Sequence, residues 1–362
     1  MDHSILDVPC ATPPDPETYL RAVLAWHFGT DTGSPFWLRM ATRLDFDPLS
    51  DIRTYDDLGM FPNLVDELRD VPVEDLIPRG YGTPPPIPRV FESGGTTGAP
   101  KRTAQLPDWL EQVTRWQVED FTAGGFVPGA GLLCMMPSGP HGVGHFDRVV
   151  AGRLGSTCYA IDLDPRWVKK VAARSDRRAA AVVTDYVDHV LQQARHILES
   201  QRVGNLHATP PLLEAIANDD HLLGLVNRRI RYILLSGAHV DVDTMDLFRG
   251  IFPDSAIAIA FGSTMILSQA ATRTDGESIV FDPRSPYVVF WVIDPATGER
   301  VPYGERGQVV MHHLSKGMFI PSNLERDTAI RRPGPDGQIG DSVSEVAPVS
   351  VFDGEPVIEG VY

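Results

Sequence analysis

Short apolar runs alternate with longer amphipathic stretches through the middle of this sequence, and this alternation constrains the fold more than any other feature. Residues 131–136, 232–235 and 256–260 are apolar almost throughout, as strands buried on both faces are. Residues 185–199 and 211–226 carry apolar side chains at helical spacing. Strands that alternate with helices form a sheet covered by helices. We therefore predict an α/β protein with a layered core.

The sequence before this region predicts packing helices and short helical pieces. Residues 16–28 and 36–44 have apolar side chains at helical spacing, and Asp15 is placed to cap the first helix. Prolines interrupt residues 54–80 repeatedly, so only short helical pieces are expected there.

After Arg273 the pattern changes. Residues 288–293 and 308–314 resemble strands, Gly- and Pro-containing turns lie between them, and helical periodicity is absent. We predict a smaller subdomain that is mostly β.

Length, charge and cysteine content limit the class of function. A chain of 362 residues can hold about two domains of roughly 150 residues each. The net charge of −16 opposes binding to nucleic acid or to an anionic membrane, so we expect small-molecule ligands. The sequence has no secretory signal and no apolar run of about 18 residues, which predicts a cytoplasmic protein. The three cysteines have no paired spacing and predict neither a zinc cluster nor a disulfide framework: Cys10, Cys134 and Cys158.

A loop rich in glycine and hydroxyl groups, residues 93–101, is the strongest candidate for chemistry. Glycines let backbone N–H groups approach an anion, hydroxyls add donors, and Lys101 supplies a positive charge. A predicted strand at 89–91 precedes the loop and a predicted helix at 108–122 follows it. The loop is not a Walker motif, because Ala99 and Pro100 separate its last glycine from the lysine. The alternative is an ordinary surface turn.

This loop resembles the Ser/Thr-Ser/Thr-Gly-Ser/Thr-Thr-Gly-x-Pro-Lys loop of the adenylate-forming enzymes. That superfamily includes acyl-CoA synthetases, peptide-synthetase adenylation domains and luciferase. Only the second position departs, where Gly94 replaces a hydroxyl residue. The resemblance implies that Lys101 and Thr97 act in catalysis, and that the nucleotide is bound by the following residues: Ser93, Gly94, Gly95, Thr96, Thr97, Gly98 and Lys101.

Two further segments resemble parts of the same superfamily. Residues 140–144 are similar to the stretch that lines the carboxylate pocket, so His141, Gly142 and Gly144 are implied to bind the substrate acid. Residues 234–238 are similar to the turn at the edge of the adenine site, which implies nucleotide contacts for Gly237 and Ala238. Considered alone, each segment is also compatible with a loop or turn that ends a strand.

Residues 260–265 resemble the Tyr-Gly-x-Thr-Glu segment of the superfamily. The resemblance implies that Phe261 stacks on adenine, that Gly262 and Ser263 line the nucleotide site, and that Gly262 faces the acyl group. Thr264 is implied to hold a phosphate oxygen and to act in catalysis. Met265 replaces the glutamate that helps to hold Mg²⁺, and a thioether is a poor ligand for this cation. We therefore predict no protein metal ligand, with Mg²⁺ held by phosphates and water, or an adenylation step that is weakened or lost.

Residues 298–327 resemble the closing β region of the superfamily. Asp327 is the candidate for the carboxylate that binds the ribose hydroxyls, although Glu325 and Arg326 replace the usual Thr-Gly before it. The alternative is a surface aspartate that caps a turn.

Together these matches imply a function and a set of partners. The resemblance is greatest to the phenylacetate-CoA ligase branch, and within it to short phenazine-pathway proteins that activate griseoluteic-acid-like aryl acids. It implies activation of a carboxylic acid by ATP as an acyl adenylate, with ATP/AMP as nucleotide. CoA, a carrier protein or an amine is expected as acceptor, and a homodimer as assembly. The alternative is a catalytically impaired protein of the same fold that binds a nucleotide or an acyl ligand.

The resemblance also implies a domain organisation. Residues 1–345 correspond to the N-terminal core of the superfamily, with α/β subdomains at about 1–165 and 166–272 and a distorted β-barrel at 273–345. Residues 346–362 would be a tail, and we expect no C-terminal lid domain and no lid lysine.

Other enzyme classes have less support in the sequence. His312 and His313 are adjacent, so on a strand they face opposite sides and cannot chelate one metal together. Neither His-Glu-x-x-His nor Gly-x-Ser-x-Gly occurs, which argues against a zinc hydrolase and a serine esterase.

Overall fold

The structure is a computed structural model that describes residues 3–94, 99–174, 176–276 and 278–349, with the backbone of 351–352 and 355–356. The described residues belong to two compact units. The first draws on Met1–Ser93, Ala99–Val113 and Gly262–Val349, and the second chiefly on Thr114–Phe261.

The helices and strands follow in chain order. The helices are α1 (Pro16–Phe28), α2 (Pro35–Ala41), α3 (Pro107–Gly124), α4 (Gly142–Arg153), α5 (Pro165–Ala172), α6 (Arg177–Ser200), α7 (Pro210–Ala217), α8 (Asp220–Arg229) and α9 (Val242–Ile251). The strands are β1 (Arg89–Glu92), β2 (Arg102–Gln105), β3 (Gly131–Met135), β4 (Cys158–Ala160), β5 (Val203–Ala208), β6 (Tyr232–Leu235), β7 (Ala256–Ile259), β8 (Gly262–Ser263), β9 (Ser268–Gln269), β10 (Ala271–Asp275), β11 (Ser278–Asp282), β12 (Val288–Ile293), β13 (Arg306–Leu314), β14 (Phe319–Arg332), β15 (Ser342–Pro348), β16 (Val351–Phe352) and β17 (Glu355–Pro356).

The second unit contains a parallel sheet with strand order β4-β3-β5-β6-β7. Every residue of β3, β5 and β6 is buried, which explains why these strands are apolar or small along most of their length. One side of the sheet packs on α3 and α4 through a cluster that includes Leu132, Val150 and Leu234. The predicted α/β core is confirmed.

One predicted helix of this unit is in fact two. We expected a single helix over 211–226, but α7 ends at Ala217 and α8 begins at Asp220. Asp219 causes the break, because its carboxylate accepts a hydrogen bond from the Leu222 N–H at 2.9 Å and so caps a new helix.

The first unit contains an antiparallel sheet with strand order β10-β11-β15-β14-β13-β12. Its position in the sequence matches the predicted β subdomain. Within the described ranges the edge strands β10 and β12 do not pair with each other, so the sheet is open and does not close into the barrel we expected. The predicted helix α1 also lies in this unit, and Asp15 accepts the Thr18 N–H at 2.9 Å as its cap.

Two of the predicted site segments lie on short hairpins of the first unit. β1 pairs with β2, and β8 pairs with β9. Between residues 3 and 349, wherever the chain is described, no helix combines the length and the apolar character needed to cross a bilayer.

Candidate functional site

The hairpin β1–β2 holds the two ends of the glycine- and threonine-rich loop together. The Ser93 N–H donates to the Lys101 carbonyl at 2.9 Å, and the Lys101 N–H donates to Ser93 Oγ at 3.0 Å. These two bonds fix the distance between the ends of the loop. Four predicted phosphate-binding residues lie outside the described residues: Gly95, Thr96, Thr97 and Gly98. Gly94 is described, and a Cβ added there would meet no atom within 4 Å.

The Lys101 ammonium group already has a partner that the sequence motif did not indicate. Its Nζ lies 3.0 Å from Asp66 Oδ1, and the lysine side chain is 15% exposed while that of Asp66 is 55% exposed. Arg69 lies on the same carboxylate, 3.1 Å away, and its Nε donates to the Ala99 carbonyl at 2.9 Å. An anion that binds Lys101 therefore competes with Asp66 for its charge.

The turn of the hairpin β8–β9 carries Thr264 and is held by three side chains. The Leu267 carbonyl accepts hydrogen bonds from Gln105 Nε2 and Trp109 Nε1, each at 3.1 Å. His313 Nδ1 lies 2.7 Å from the Ile266 carbonyl. Since these donors are buried and come from β2, α3 and β13, the position of Thr264 is set by the core of its own unit.

Met265 does not provide a metal ligand in this turn. Its side chain is 4% exposed, and a buried thioether is unsuited to a hard cation. Among the described residues no group of three or more His, Cys, Asp or Glu side chains could hold a metal ion. The protein residues present therefore do not fit a protein-bound Mg²⁺.

The Glu325 carboxylate is hydrogen-bonded to this segment. Its Oε1 accepts hydrogen bonds from Ser263 Oγ at 2.5 Å and from Asn323 Nδ2 at 2.7 Å. Gln308 Nε2 donates to the Glu325 carbonyl at 2.8 Å. Thus Glu325 ties β14 to the segment of Ser263 and Thr264.

Asp327 also lies on β14, at a point where the pairing of β14 with β13 is irregular. The register of β13 with β14 shifts between Gln308 and Val310, so that several β14 residues, Asp327 among them, face a single β13 residue. Such bulges change the direction of side chains and are common beside functional sites. Asp327 is partly exposed.

In the second unit, the residues predicted to border the adenine lie at the carboxyl edge of the parallel sheet. Ser236, Gly237 and Ala238 follow β6, and Phe261 follows β7, its direct neighbour. Gly237 has φ +82°, a conformation that favours glycine, and it is exposed. Open α/β sheets bind ligands at this edge.

The predicted acid-binding residues lie at the beginning of α4. His141 is the residue before the helix, and Gly142 and Gly144 belong to its first turn. A Cβ on Gly144 would lie 2.7 Å from both the Pro137 carbonyl oxygen and Ser138 Cα. Close packing against the backbone therefore explains this glycine without a ligand.

The same edge contains a series of hydrogen-bonded side chains that the sequence did not predict. His207 Nε2 lies 2.8 Å from Ser236 Oγ, and His207 Nδ1 lies 2.8 and 2.9 Å from the two oxygens of the Asp147 carboxylate. Asp147 also accepts a hydrogen bond from Cys134 Sγ at 3.0 Å. The only sequence signal was a histidine inside an apolar strand, since the other members come from distant segments.

Cys134 takes part in this chain as a neutral donor. The pKa of its thiol is raised well above the ordinary value by its hydrogen bond with Cys158, by burial and by the charge of Asp147. The hydrogen bond with Cys134 lowers the pKa of Cys158.

The two adjacent histidines of β13 have separate partners. His313 contacts Ile266 and Ser315, whereas His312 Nδ1 accepts the Ser322 N–H at 3.0 Å. Both are fully buried.

A cleft of about 450 Å³ lies at the opposite, amino-terminal edge of the parallel sheet. Arg229 and Arg231 line it, but both guanidinium groups donate to backbone carbonyls, including those of Gln201 and Asn227. The cleft contains no predicted site residue. The guanidinium groups of Arg229 and Arg231 are both occupied by hydrogen bonds.

Among solved structures, 2-hydroxyisobutyryl-CoA ligase has a fold similar to that of this chain. Its open conformation in complex with 2-HIB-AMP and CoA has a TM-score of 0.61 at 16% identity, over 94% of this chain and 71% of that chain. Its postadenylation state in complex with 2-HIB-AMP has a TM-score of 0.60 at 17% identity, over 98% and 72%. The sequence matches no family model and no curated protein. At this identity the similarity shows a shared fold.

Proposed function

We propose that this protein activates a carboxylic acid with ATP, forming an acyl adenylate and pyrophosphate. The observation that carries the proposal is the hairpin β1–β2, whose Ser93 and Lys101 close a glycine- and threonine-rich loop. This loop occurs on a fold shared with a ligase whose structures contain an acyl adenylate, 2-HIB-AMP. A glycine- and threonine-rich loop that ends in a lysine, on a fold shared with this ligase, supports this chemistry.

In the proposed reaction a carboxylate oxygen of the substrate attacks the α-phosphorus of ATP, and the bond to pyrophosphate breaks. Lys101, Thr96 and Thr97 stabilise the charge that develops on the leaving pyrophosphate. Thr264 donates a hydrogen bond to the α-phosphate. Catalysis of phosphoryl chemistry depends chiefly on such charge stabilisation and on positioning.

The remaining residues have proposed binding roles. Phe261 stacks on adenine and Gly237 and Ala238 border the base, while Asp327 accepts hydrogen bonds from the ribose hydroxyls. No step is assigned to a protein-bound metal, because Met265 is buried and the described residues contain no ligand cluster.

The proposed substrate is an aryl acid of secondary metabolism, as in the phenylacetate-CoA ligase branch and its phenazine-pathway members. His141, Gly142, Gly144 and Gly262 would line its site. The acceptor of the acyl group would be CoA, a carrier protein or an amine. A homodimer and a cytoplasmic location complete the proposal.

Exchange of labelled pyrophosphate into ATP tests the proposed function. The assay uses a panel of aryl and alkyl acids, each with and without Mg²⁺, and Lys101→Ala as the inactive control. We expect exchange that depends on one group of aryl acids and falls by about 100-fold or more in the variant. Absence of exchange with every acid, in protein that binds ATP, would contradict the proposal.

A second function, ligand binding without catalysis, is favoured by Met265. Its buried thioether stands at the position of a metal-binding glutamate in the resembling family. In that case calorimetry would detect ATP or acyl-ligand binding while exchange remains absent with every acid. Measurable turnover would exclude this alternative.

A further inference from the structure

A serine, a histidine and an aspartate of the second unit are connected as an acyl-transfer catalyst requires. The distances are 2.8 Å from Ser236 Oγ to His207 Nε2 and 2.8 Å from His207 Nδ1 to the nearer oxygen of Asp147. The sequence separations are 29 and 60 residues, so the three groups meet only through the fold. Such constellations are recognised by geometry and by the role of each member, irrespective of sequence order.

The register of the parallel sheet brings the three groups to one face. Cys134 on β3 pairs with His207 on β5, and His207 pairs with Leu234 on β6. Ser236 lies two residues beyond Leu234, so the side-chain alternation of a strand directs it to the same face. Since α4 covers this face, its Asp147 reaches His207 from above the sheet.

Hydrogen bonding defines the direction of proton transfer along the chain. Asp147 is 2% exposed and His207 is 3% exposed, so solvent does not compete for their hydrogen bond. An ionised carboxylate only accepts, so His207 carries its proton on Nδ1. Nε2 is then the acceptor for the Ser236 hydroxyl. Cys134 donates to the same carboxylate and helps to fix its orientation.

The serine lies where a substrate can reach it. Asp147 and His207 are buried, whereas Ser236 is partly exposed and Gly237 is exposed, at the carboxyl edge of the sheet. In the described part of the chain, the backbone N–H groups of Gly237 and Ala238 donate to no other residue. N–H groups directly after a nucleophile are the usual donors to the oxyanion of an acyl-transfer intermediate.

We infer that Ser236 is a nucleophile that accepts an acyl group from an activated acyl donor, with His207 as its general base and Asp147 as the residue that positions His207. Ser236 Oγ attacks the carbonyl carbon while its proton passes to His207 Nε2. The bond between the acyl carbon and the leaving group breaks, and the acyl group remains on Ser236 as an ester. Water, an alcohol or an amine then attacks the ester carbonyl and gives its proton to His207 Nε2. His207 passes that proton to Ser236 Oγ as the ester bond breaks, which restores the serine.

Two kinds of activated acyl donor can undergo this reaction, a thioester and an acyl adenylate. A thioester loses a thiolate, which takes the proton from His207. An acyl adenylate loses AMP as a phosphate anion, and His207 then releases its proton to solvent. Only the second donor depends on the proposed adenylation. Gly237 and Ala238 cannot border adenine and hold an oxyanion at the same time, so Ser236 acts when no nucleotide base occupies this turn. Its nucleophilic role does not require ATP and is tested without it.

Labelling with an alkyl fluorophosphonate tests the inference directly. This probe modifies serines that a neighbouring base activates, and the modified residue is identified by peptide mass spectrometry. We expect one equivalent of label on Ser236 in the full chain and none on Ser236→Ala. Ser255→Ala is the matched control, because Ser255 is also partly exposed in this unit but donates to the Ile230 carbonyl instead of a histidine. This control should label like the wild type.

Two measurements distinguish a catalytic role of these hydrogen-bonded side chains from a purely structural one. His207→Gln is expected to reduce the labelling rate by at least about 100-fold, as loss of a general base does. Because that buried variant can fail to fold, the labelling rate of the wild type is also followed with pH. We expect this rate to rise with pH, because only a neutral imidazole accepts the serine proton. A flat profile over the range in which the protein stays folded overturns the inference.

Incubation with benzoyl-CoA or with synthetic benzoyl adenylate identifies the donor. We expect a benzoyl ester on Ser236 with at least one of them, and none on Ser236→Ala. Equal labelling of wild type and Ser236→Ala, or a fluorophosphonate rate no higher than that of a free serine derivative, overturns the inference. Failure of pyrophosphate exchange with intact labelling would contradict only the proposed adenylation.

Discussion

At the scale of single residues, the charge partner of Lys101 determines how this loop can meet a phosphate. The ammonium group is 3.0 Å from Asp66, and Asp66 also contacts Arg69. A triphosphate that approaches Lys101 therefore meets a carboxylate whose charge repels it. The motif supplies the lysine, and the neighbouring Asp66 competes with an anion for the lysine's charge.

Asp66→Asn is expected to tighten ATP binding. The amide keeps a hydrogen-bond acceptor for Lys101 but removes the negative charge, and a partly exposed pair of this kind is worth about 1 kcal/mol or less. We expect the dissociation constant for ATP, measured by titration calorimetry, to fall by up to about fivefold. Asp75→Asn is the control, because it removes a carboxylate paired with Arg39 at 2.8 Å in the same unit. Weaker binding in Asp66→Asn would mean that Asp66 mainly positions the lysine.

At the scale of elements, the hairpin β8–β9 carries the segment of Ser263 and Thr264. Its strands pair Gly262 with Gln269 and Ser263 with Ser268. Two residues per strand give little stability of their own, so the hairpin depends on the side chains that hold its turn. The backbone of the two strands approaches closely at Gly262.

Gly262→Ala is expected to disrupt this hairpin. A Cβ at this position would lie 2.6 Å from the Ser268 carbonyl oxygen and 2.9 Å from Gln269 Cα, and backbone atoms cannot rotate away. We expect a loss of about 1–3 kcal/mol in the free energy of unfolding by urea, typical of overpacking, together with loss of pyrophosphate exchange.

Gly250→Ala is the matched control for this change. Gly250 lies in α9, and an added Cβ would meet nothing within 4 Å. Alanine is favoured over glycine in a helix by up to about 1 kcal/mol, so stability should be equal or higher. Unchanged stability and exchange in Gly262→Ala would refute the proposed crowding at this hairpin.

At the scale of the whole molecule, buried histidines connect folding to pH. Burial lowers the pKa of His27 to about 4 and that of His312 and His313 to about 3. In the unfolded chain a histidine has a pKa of about 6.5. Between these values the unfolded chain binds protons that the folded chain does not.

Acid is therefore expected to destabilise the protein as the pH falls below about 6.5. Well below that pH, each of the three histidines should contribute a slope of about 1.4 kcal/mol per pH unit. Thermal unfolding followed between pH 7.5 and pH 4.5, in calorimetric buffers of different ionisation enthalpy, should reveal uptake of about three protons at pH 5 from these groups.

Substitution of one buried histidine tests this origin of the pH dependence. His312→Gln is expected to reduce proton uptake by about one. A melting temperature that stays constant from pH 7.5 to pH 5 would contradict the proposed linkage.

Local patterns predicted much of the secondary structure. The sequence predicted β6 and β12 with their observed bounds, because each is a continuous apolar run followed by turn residues. It predicted α1 from the helical spacing of its apolar residues and from Asp15 as its cap. The pattern over 211–226 failed because helical periodicity continues across Asp219, whose cap is a local hydrogen bond that periodicity does not register.

Some features of the candidate site follow from neighbouring residues in the sequence, and others arise only from the folded chain. The sequence determined the α/β class and the loop that ends at Lys101, since both depend on neighbouring residues. The tertiary structure decided that Asp66 pairs with Lys101 and that Asp147, His207 and Ser236 form one hydrogen-bonded chain. The physical reason is that these contacts join segments far apart in the chain, and strand order and helix placement alone bring their polar groups within 3 Å.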